Sequence, residues 1–247
     1  MTPAVTPRLA RRLSVATAVG AAALCLPASS GAYSGGGAMG PPPSQTPQPA
    51  NLTVSASADG MTIAAPESAP LRSVLHVSGD LPPGDAGRTV ELEVMGARTN
   101  WSWVTTAQTQ VARNGSYAAT WNTSRAGQFA VRAVISTSGV GAASTQPTIT
   151  VNVYRASVAT LYGPGFYGHR TACGTILRKP TFGVANRNLP CGTRVAVYYD
   201  GQMLVVPVID RGPYANGANW DLTMASGAAL GIDTTATIGA VALPRSG

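Results

Sequence analysis

Lysine occurs once in this chain, at Lys179, and histidine twice, at His76 and His169. Only 11% of the residues are charged, and arginine carries nearly all of the positive charge behind a net +7. Such an excess attracts an anionic partner, whether nucleic acid, a membrane surface or an acidic cell wall. The arginines are scattered, however. No basic run, helix-turn-helix, zinc-finger or aromatic RNA-binding signature is present, which argues against nucleic acid. The two histidines are not in ligand spacing and cysteines are few, so no metal site is expected. Nothing points to a cofactor, and nothing specifies oligomerisation.

Long apolar runs are also missing. The uncharged, mostly apolar stretch 13–26 is too short for a comfortable membrane span. It follows Arg8, Arg11 and Arg12 and precedes small residues, the three-part pattern of a secretory signal peptide. Residues 1–32 are assigned to that signal, which implies a secreted or wall-bound protein without stable membrane insertion. Cys25 follows Leu24 rather than a small residue, against a lipoprotein anchor. Cleavage would leave two cysteines, Cys173 and Cys191, and an isolated pair in an oxidising compartment is most simply a disulfide.

What the chain has in abundance is Gly, Pro and short alternating stretches. Residues 33–50 are Gly-rich and then Pro-rich (Gly35-Gly36-Gly37, Pro41-Pro42-Pro43) and read as a disordered linker. Residues 51–154 show short strand patterns at 71–78, 89–94, 101–105, 117–121, 128–135 and 148–153, with breaks at Asn114-Gly115 and Ala126-Gly127. That spacing predicts a β-sandwich. Of its tryptophans, Trp101, Trp103 and Trp121 are candidates for sugar contact, although Trp121 alternates with small residues as a core residue does. From 155 to 247 the pattern changes. Strands are expected at 157–162, 194–199, 203–209 and 237–242, with a hairpin at Asp200-Gly201 and one short helix over 222–231. This predicts a small β-barrel, making the whole chain all-β.

The chemistry concentrates in residues 208–223. An apolar strand runs into Asp210-Arg211, then Gly212-Pro213 forces a turn, and Trp220-Asp221 adds an aromatic and a second carboxylate. Functional groups held at the end of a strand sit on a rigid scaffold. Asp210 has two readings: a catalytic carboxylate, or a turn-holder that accepts backbone amides and pairs with Arg211. Asp221 reads as the cap of the helix that follows it.

Two regions then resemble known families. Residues 51–154 are similar to bacterial immunoglobulin-like domains, through Ala86-Gly87-Arg88-Thr89-Val90, Asn114-Gly115-Ser116-Tyr117 and Ala126-Gly127-Gln128-Phe129. Residues 155–247 resemble the six-stranded double-psi β-barrel of the RlpA family, bacterial wall-associated proteins related in fold to the barwin and expansin barrels. The matching motifs, in the family's order, start with Ala159-Thr160-Leu161-Tyr162-Gly163 and Gly168-His169-Arg170-Thr171-Ala172. Leu189-Pro190-Cys191-Gly192-Thr193, Val208-Ile209-Asp210-Arg211-Gly212-Pro213-Tyr214 and Asp221-Leu222-Thr223 follow.

The resemblance implies peptidoglycan glycan strands as partner and, in active members, lytic transglycosylase chemistry. In that reaction a muramyl hydroxyl attacks its own anomeric carbon, which calls for an acid on the leaving oxygen and a base on the hydroxyl. Asp210 matches the family's essential aspartate. The family's glutamate and histidine positions are occupied by Thr175 and Asn186, neither of which exchanges protons near neutral pH. The expectation is a wall protein that binds glycan strands and remodels them without hydrolysis. The alternative is a lytic transglycosylase with Asp210 as sole acid and base, and a purely adhesive module is a third class. Substrate contacts are expected from Tyr162, His169, Thr175, Asn186, Arg211, Tyr214, Trp220 and Asp221, and the Cys173–Cys191 disulfide is expected to clip two loops across the groove.

Overall fold

A computed structural model describes residues 46–136, 146–214 and 217–244. The expected signal peptide and most of the linker lie outside the described residues. Ten strands precede the barrel loops: β1 (Gln48–Pro49), β2 (Thr53–Ala58), β3 (Met61–Pro66), β4 (Ser68–Pro70), β5 (Val74–Asp80), β6 (Thr89–Met95), β7 (Val104–Gln110), β8 (Ser116–Asn122), β9 (Gly127–Ile135) and β10 (Thr148–Tyr162). One sheet runs β2-β3-β5-β8. Facing it, the first half of β10 continues through β9 and β6 to β7. Alternate residues point between the sheets: Ile63 on β3, Leu75 and Val77 on β5, Val90 and Leu92 on β6, Val131 on β9 and Val151 on β10 all join one buried cluster. Period-two alternation sends these side chains to one face, and the hydrophobic effect closes the faces together. Trp121 packs edge-on against Phe129 at 5.2 Å within this core.

Three local expectations need correction. Strands β2 and β3 were not anticipated, although Met61, Ile63 and Ala65 alternate inward. The strand expected from residue 71 starts at Val74, since Arg72 sits at φ 66 and interrupts the extended chain. The strand expected at 101–105 starts at Val104, and Trp101 lies in the turn before it.

The second half of β10 enters the barrel. It is joined by β11 (Val184–Ala185), β12 (Arg194–Tyr199), β13 (Gln202–Asp210), β14 (Trp220–Thr223), the helix α1 (Met224–Ala229) and β15 (Ala236–Ala242). The order β14-β11-β13-β12-β15-β10 closes on itself through parallel pairing of β10 with β14, giving a six-stranded barrel without free edges. Its interior is filled by Ala159, Val184, Val197, Leu204, Val206, Val208, Leu222 and Ile238. The β12–β13 hairpin turns at Asp200 (φ 44) and Gly201 (φ 71), the left-handed pair a two-residue turn requires. The cap of α1 is Thr223, whose hydroxyl accepts from the Ser226 amide, and not Asp221, which belongs to β14.

The 154/155 division falls inside a single 15-residue strand. The joint around it is packed. Tyr154 stacks on Tyr198 at 4.4 Å, and a Cβ at Gly239 would come within 2.4 Å of the Tyr154 ring. Glycine is therefore a steric requirement of the joint. The end of the Pro-rich stretch differs from a free linker, because β1 pairs with β13, Ala50 is buried, and its amide donates to the Gly201 carbonyl.

Candidate functional site

Closure of the barrel brings Asp210 and Asp221 into one row. Ala185 on β11 is in register with Asp210 on β13 and with Asp221 on β14, and Asp221 is in register with Thr160 on β10. Paired residues project to the same face of a sheet. Val184, Leu222 and Leu161, each next to a member of the row, face the barrel core. On β13 the register shifts between Val184 and Ala185, so that Asp210 comes two residues after the core-facing Val208. Thr160, Asp210 and Asp221 all keep part of their surface exposed. Two strand spacings separate the aspartate backbones, about 10 Å, with only a methyl group between them.

The two carboxylates differ in environment. Asp210 Oδ1 accepts from the amides of Ala172 (2.9 Å) and Arg211 (2.8 Å), while Oδ2 has no partner among the described residues. Asp221 is half-buried and accepts from the Thr160 hydroxyl at 2.9 Å. Burial raises its pKa above the ordinary carboxylate value, the Thr160 hydrogen bond opposes this, and the charge of Asp210 adds to the rise. The Tyr162 hydroxyl is buried without a hydrogen-bond partner, and its pKa is raised by burial and then by Asp210 and Asp221. It therefore stays protonated.

The barrel has no glutamate anywhere, and its other aspartates are exposed: Asp200 in the hairpin turn, Asp233 beyond α1. Any pair of partly buried carboxylates in this region is thus limited to Asp210 and Asp221. Among the described residues no group of three metal-binding side chains occurs.

The loops over the row are tied down. The 168–177 loop doubles back on itself through a bridge between Arg170 and Ile176, and the amide of Cys173 donates to the Ile209 carbonyl. Cys173 and Cys191 form a disulfide, fastening this loop to the one before β12. Arg211 does not pair with the Asp210 carboxylate. Its guanidinium donates to the Asn186 carbonyl (3.2 Å), to Cys191 Sγ (3.2 Å) and, at 3.5 Å, to the Asp210 backbone carbonyl, and only its backbone amide reaches the Asp210 carboxylate. Arg187 donates to the carbonyls of Pro213 and Ala218, securing the turn that follows the cis Gly212–Pro213 bond.

The remaining expected contacts divide. Asn186 is used internally at both ends, Oδ1 accepting from Asn188 and Leu189 amides and Nδ2 donating to the Asn219 carbonyl. Thr175 accepts from the Thr171 amide through its carbonyl, and its own amide donates to the Thr171 hydroxyl. Trp220 is 9% exposed and packs in the barrel core, so it lines the surface with an edge at most. Tyr214 is 78% exposed and His169 is also exposed. Sequence reasoning missed Thr160, although it lies in the Ala159-Thr160-Leu161-Tyr162 motif. The parallel β10–β14 pairing that brings it to Asp221 joins residues 61 positions apart.

Residues 154–243 match a family model described as lytic transglycolase. They form an RlpA-like double-psi β-barrel. A probable endolytic peptidoglycan transglycosylase RlpA of Synechocystis sp. is 41% identical over 96 residues, covering 38% of this chain and 30% of that protein. A similarly named RlpA of Aquifex aeolicus is 37% identical over 81 residues, 32% of this chain and 36% of that protein. The endolytic peptidoglycan transglycosylase RlpA of Campylobacter jejuni is 35% identical over 82 residues, 32% of this chain and 29% of that protein. The chain thus spans about a third of the length of the curated relatives it matches, and the family-model match covers residues 154–243. No helix among the described residues is long and apolar enough to cross a membrane.

Proposed function

We propose that this chain acts in the bacterial cell wall, outside the cytoplasm, where its RlpA-like barrel binds peptidoglycan glycan strands and cleaves them as a lytic transglycosylase. The observation that carries this reading is the row Asp210–Ala185–Asp221, two carboxylates of unequal environment on one outward face. Asp221, its proton affinity raised by burial, is the general acid: it protonates the glycosidic oxygen of the leaving sugar. Asp210 presents an acceptor oxygen and takes the proton of the muramyl hydroxyl as that oxygen bonds to its own anomeric carbon. The products are an anhydro-muramyl end and a free hydroxyl on the leaving sugar, and solvent returns the proton from Asp210 to Asp221. In this reading Asp210 is not the sole acid and base.

The substitutions at the family's glutamate and histidine positions favour a second reading, glycan binding and loosening without cleavage. Asn186 in particular spends both polar ends on the protein itself. The two readings part in one experiment. The mature protein is incubated with purified sacculi beside Asp221→Asn and Asp210→Asn, and soluble products are weighed for anhydro-muramyl ends. The lyase predicts such ends from the unaltered protein and at least about a 100-fold loss in each variant. Protein bound to the pellet with no products from any version would leave the binding reading in its place.

A further inference from the structure

The three tryptophans of the sandwich have different fates. Trp121 is buried against Phe129. Trp103 is covered by the Arg132 guanidinium, 4.1 Å above its ring, and Arg132 is itself held by Glu93. Trp101 is 60% exposed. Its backbone lies at φ 57, directly after Asn100 at φ 53. A bulky non-glycine residue in the left-handed region is an outlier, and such strain persists only where surrounding structure enforces it. Here a tight turn does so. The amides of Thr99 and Trp101 both donate to the Gly96 carbonyl, and the Thr99 hydroxyl donates to the Ser102 carbonyl. The chain is bent against its preference, and the result is an indole held out from the surface.

That indole borders a hollow of about 370 Å³ between sandwich and barrel, lined by Arg98, Gln128, Arg155 and Trp220 among others. A second hollow of about 420 Å³ shares Arg155, Ser157 and Trp220 with the first and adds the side-chain amides of Asn188 and Asn219 beside Asn186, whose own amide is already engaged. Asn186 is the next residue after Ala185, and Trp220 the one before Asp221. The second hollow therefore lies at the end of the strands β11 and β14 that carry the row, and the first, which shares its lining, extends to Trp101. The chemistry along this path is that of a sugar-binding surface: side-chain amides, a flat aromatic and arginines. The Arg155 guanidinium has no hydrogen-bond or ion-pair partner among the described residues, and the Arg98 guanidinium is anchored through Nε alone, donating to the Ala126 carbonyl. No carboxylate lines either hollow.

We propose that the sandwich carries a second glycan subsite, centred on Trp101, which holds the same carboxylate-bearing glycan strand several sugars away from the aspartate row. The indole stacks on a pyranose face, and Arg98 and Arg155 receive the strand's carboxylates. The subsite gives the protein a preference for long strands over short fragments, since a short fragment cannot reach from the row to the sandwich. Two linked contacts on one ligand raise its effective concentration at each. This rests on the reading that the barrel binds wall glycan, and the test separates the two.

The test measures binding of the mature protein to peptide-free, carboxylate-bearing glycan strands from purified sacculi, and to the disaccharide repeat released from them. The variants are Trp101→Ala, Trp101→Tyr and Arg155→Gln, with thermal midpoints recorded for each. The expected result is at least a tenfold weaker hold on long strands in Trp101→Ala, with disaccharide binding unchanged. Trp101→Tyr, which keeps a ring, restores most of the affinity. Arg155→Gln weakens strand binding and flattens its salt dependence. An unchanged long-strand affinity in Trp101→Ala overturns the subsite while leaving the barrel reading intact. Trp101-dependent binding with no anhydro products from the unaltered protein supports the subsite and removes the lyase. Failure of the unaltered protein to bind strands overturns both.

Discussion

The sandwich and the barrel solve the same problem, burial of alternating strand faces, but treat their charges in opposite ways. In the sandwich, Arg88 pairs with Asp85 and Arg132 with Glu93, and Glu91 accepts from Thr105 and Gln108 across the strands. In the barrel no ion pair occurs among the described residues. There the arginines donate to backbone carbonyls and to a disulfide sulfur, while two aspartates share one outward face without a cation between them. Stability alone would favour the first arrangement. Keeping two carboxylates close, one of them desolvated, is a cost that structure tolerates where chemistry needs it. The contrast is what the proposed function of the barrel requires, with the sandwich in a supporting role and Trp101 as its exception.

Substitutions can break or sharpen that contrast. The largest effect is expected at the row: Asp221→Asn should lower product release at least about 100-fold, whereas Glu93→Gln in the sandwich should leave it unchanged. Equal losses from both would erase the distinction. Next comes the sandwich core, where Ile63→Ala removes a fully buried side chain and should cost about 2–5 kcal/mol in denaturant unfolding. Glycan cleavage well below the midpoint should persist, because no sandwich core residue touches the row.

Opening the disulfide with a Cys173→Ser, Cys191→Ser pair frees a loop with a sequence separation of 18 and should cost about 3 kcal/mol in the chain-entropy model. It should also reduce activity, since the Ala172 amide that reaches Asp210 directly precedes Cys173 and the Arg211 guanidinium donates to Cys191 Sγ. Retained activity would mean that Ala172 and Arg211 hold Asp210 without the clip.

The smallest effect is the pH dependence of stability. Asp221 has a folded pKa raised above its unfolded value, so its ionisation opposes folding. Its stability contribution is present below the ordinary carboxylate value of 3.8 and is lost as pH rises through the higher folded value. Asp221→Asn should accordingly be more stable than the parent at neutral pH, with the gain disappearing on acidification. A variant less stable at pH 7 would show that the Thr160 hydrogen bond outweighs burial.

Much of this was legible in the residues. Period-two alternation marked β6, β8 and β9 nearly to their ends, because a half-buried strand must alternate. Asp200-Gly201 marked its hairpin, since few residue pairs accept two successive positive φ angles. Asp210 was legible because a Gly-Pro turn directly after an apolar strand announces a strand end. Asp221 was misread as a cap, since Asp just before a helix is the commonest capping pattern and local sequence carries no sign of the strand that claims it first. Trp101 was read as strand for the same reason: its neighbours alternate, and the left-handed turn is imposed by contacts with Gly96.

By itself, then, the sequence determined the all-β character, the strand periodicity, the hairpin and the presence of a carboxylate at a strand end. These depend on residues a few positions apart, whose preferences act over one or two turns of chain. The tertiary structure alone decided which aspartates meet, that a single strand joins the two cores, and which tryptophan faces solvent. Those outcomes depend on pairings such as Thr160 with Asp221, where residues distant in the chain come together only when the barrel closes.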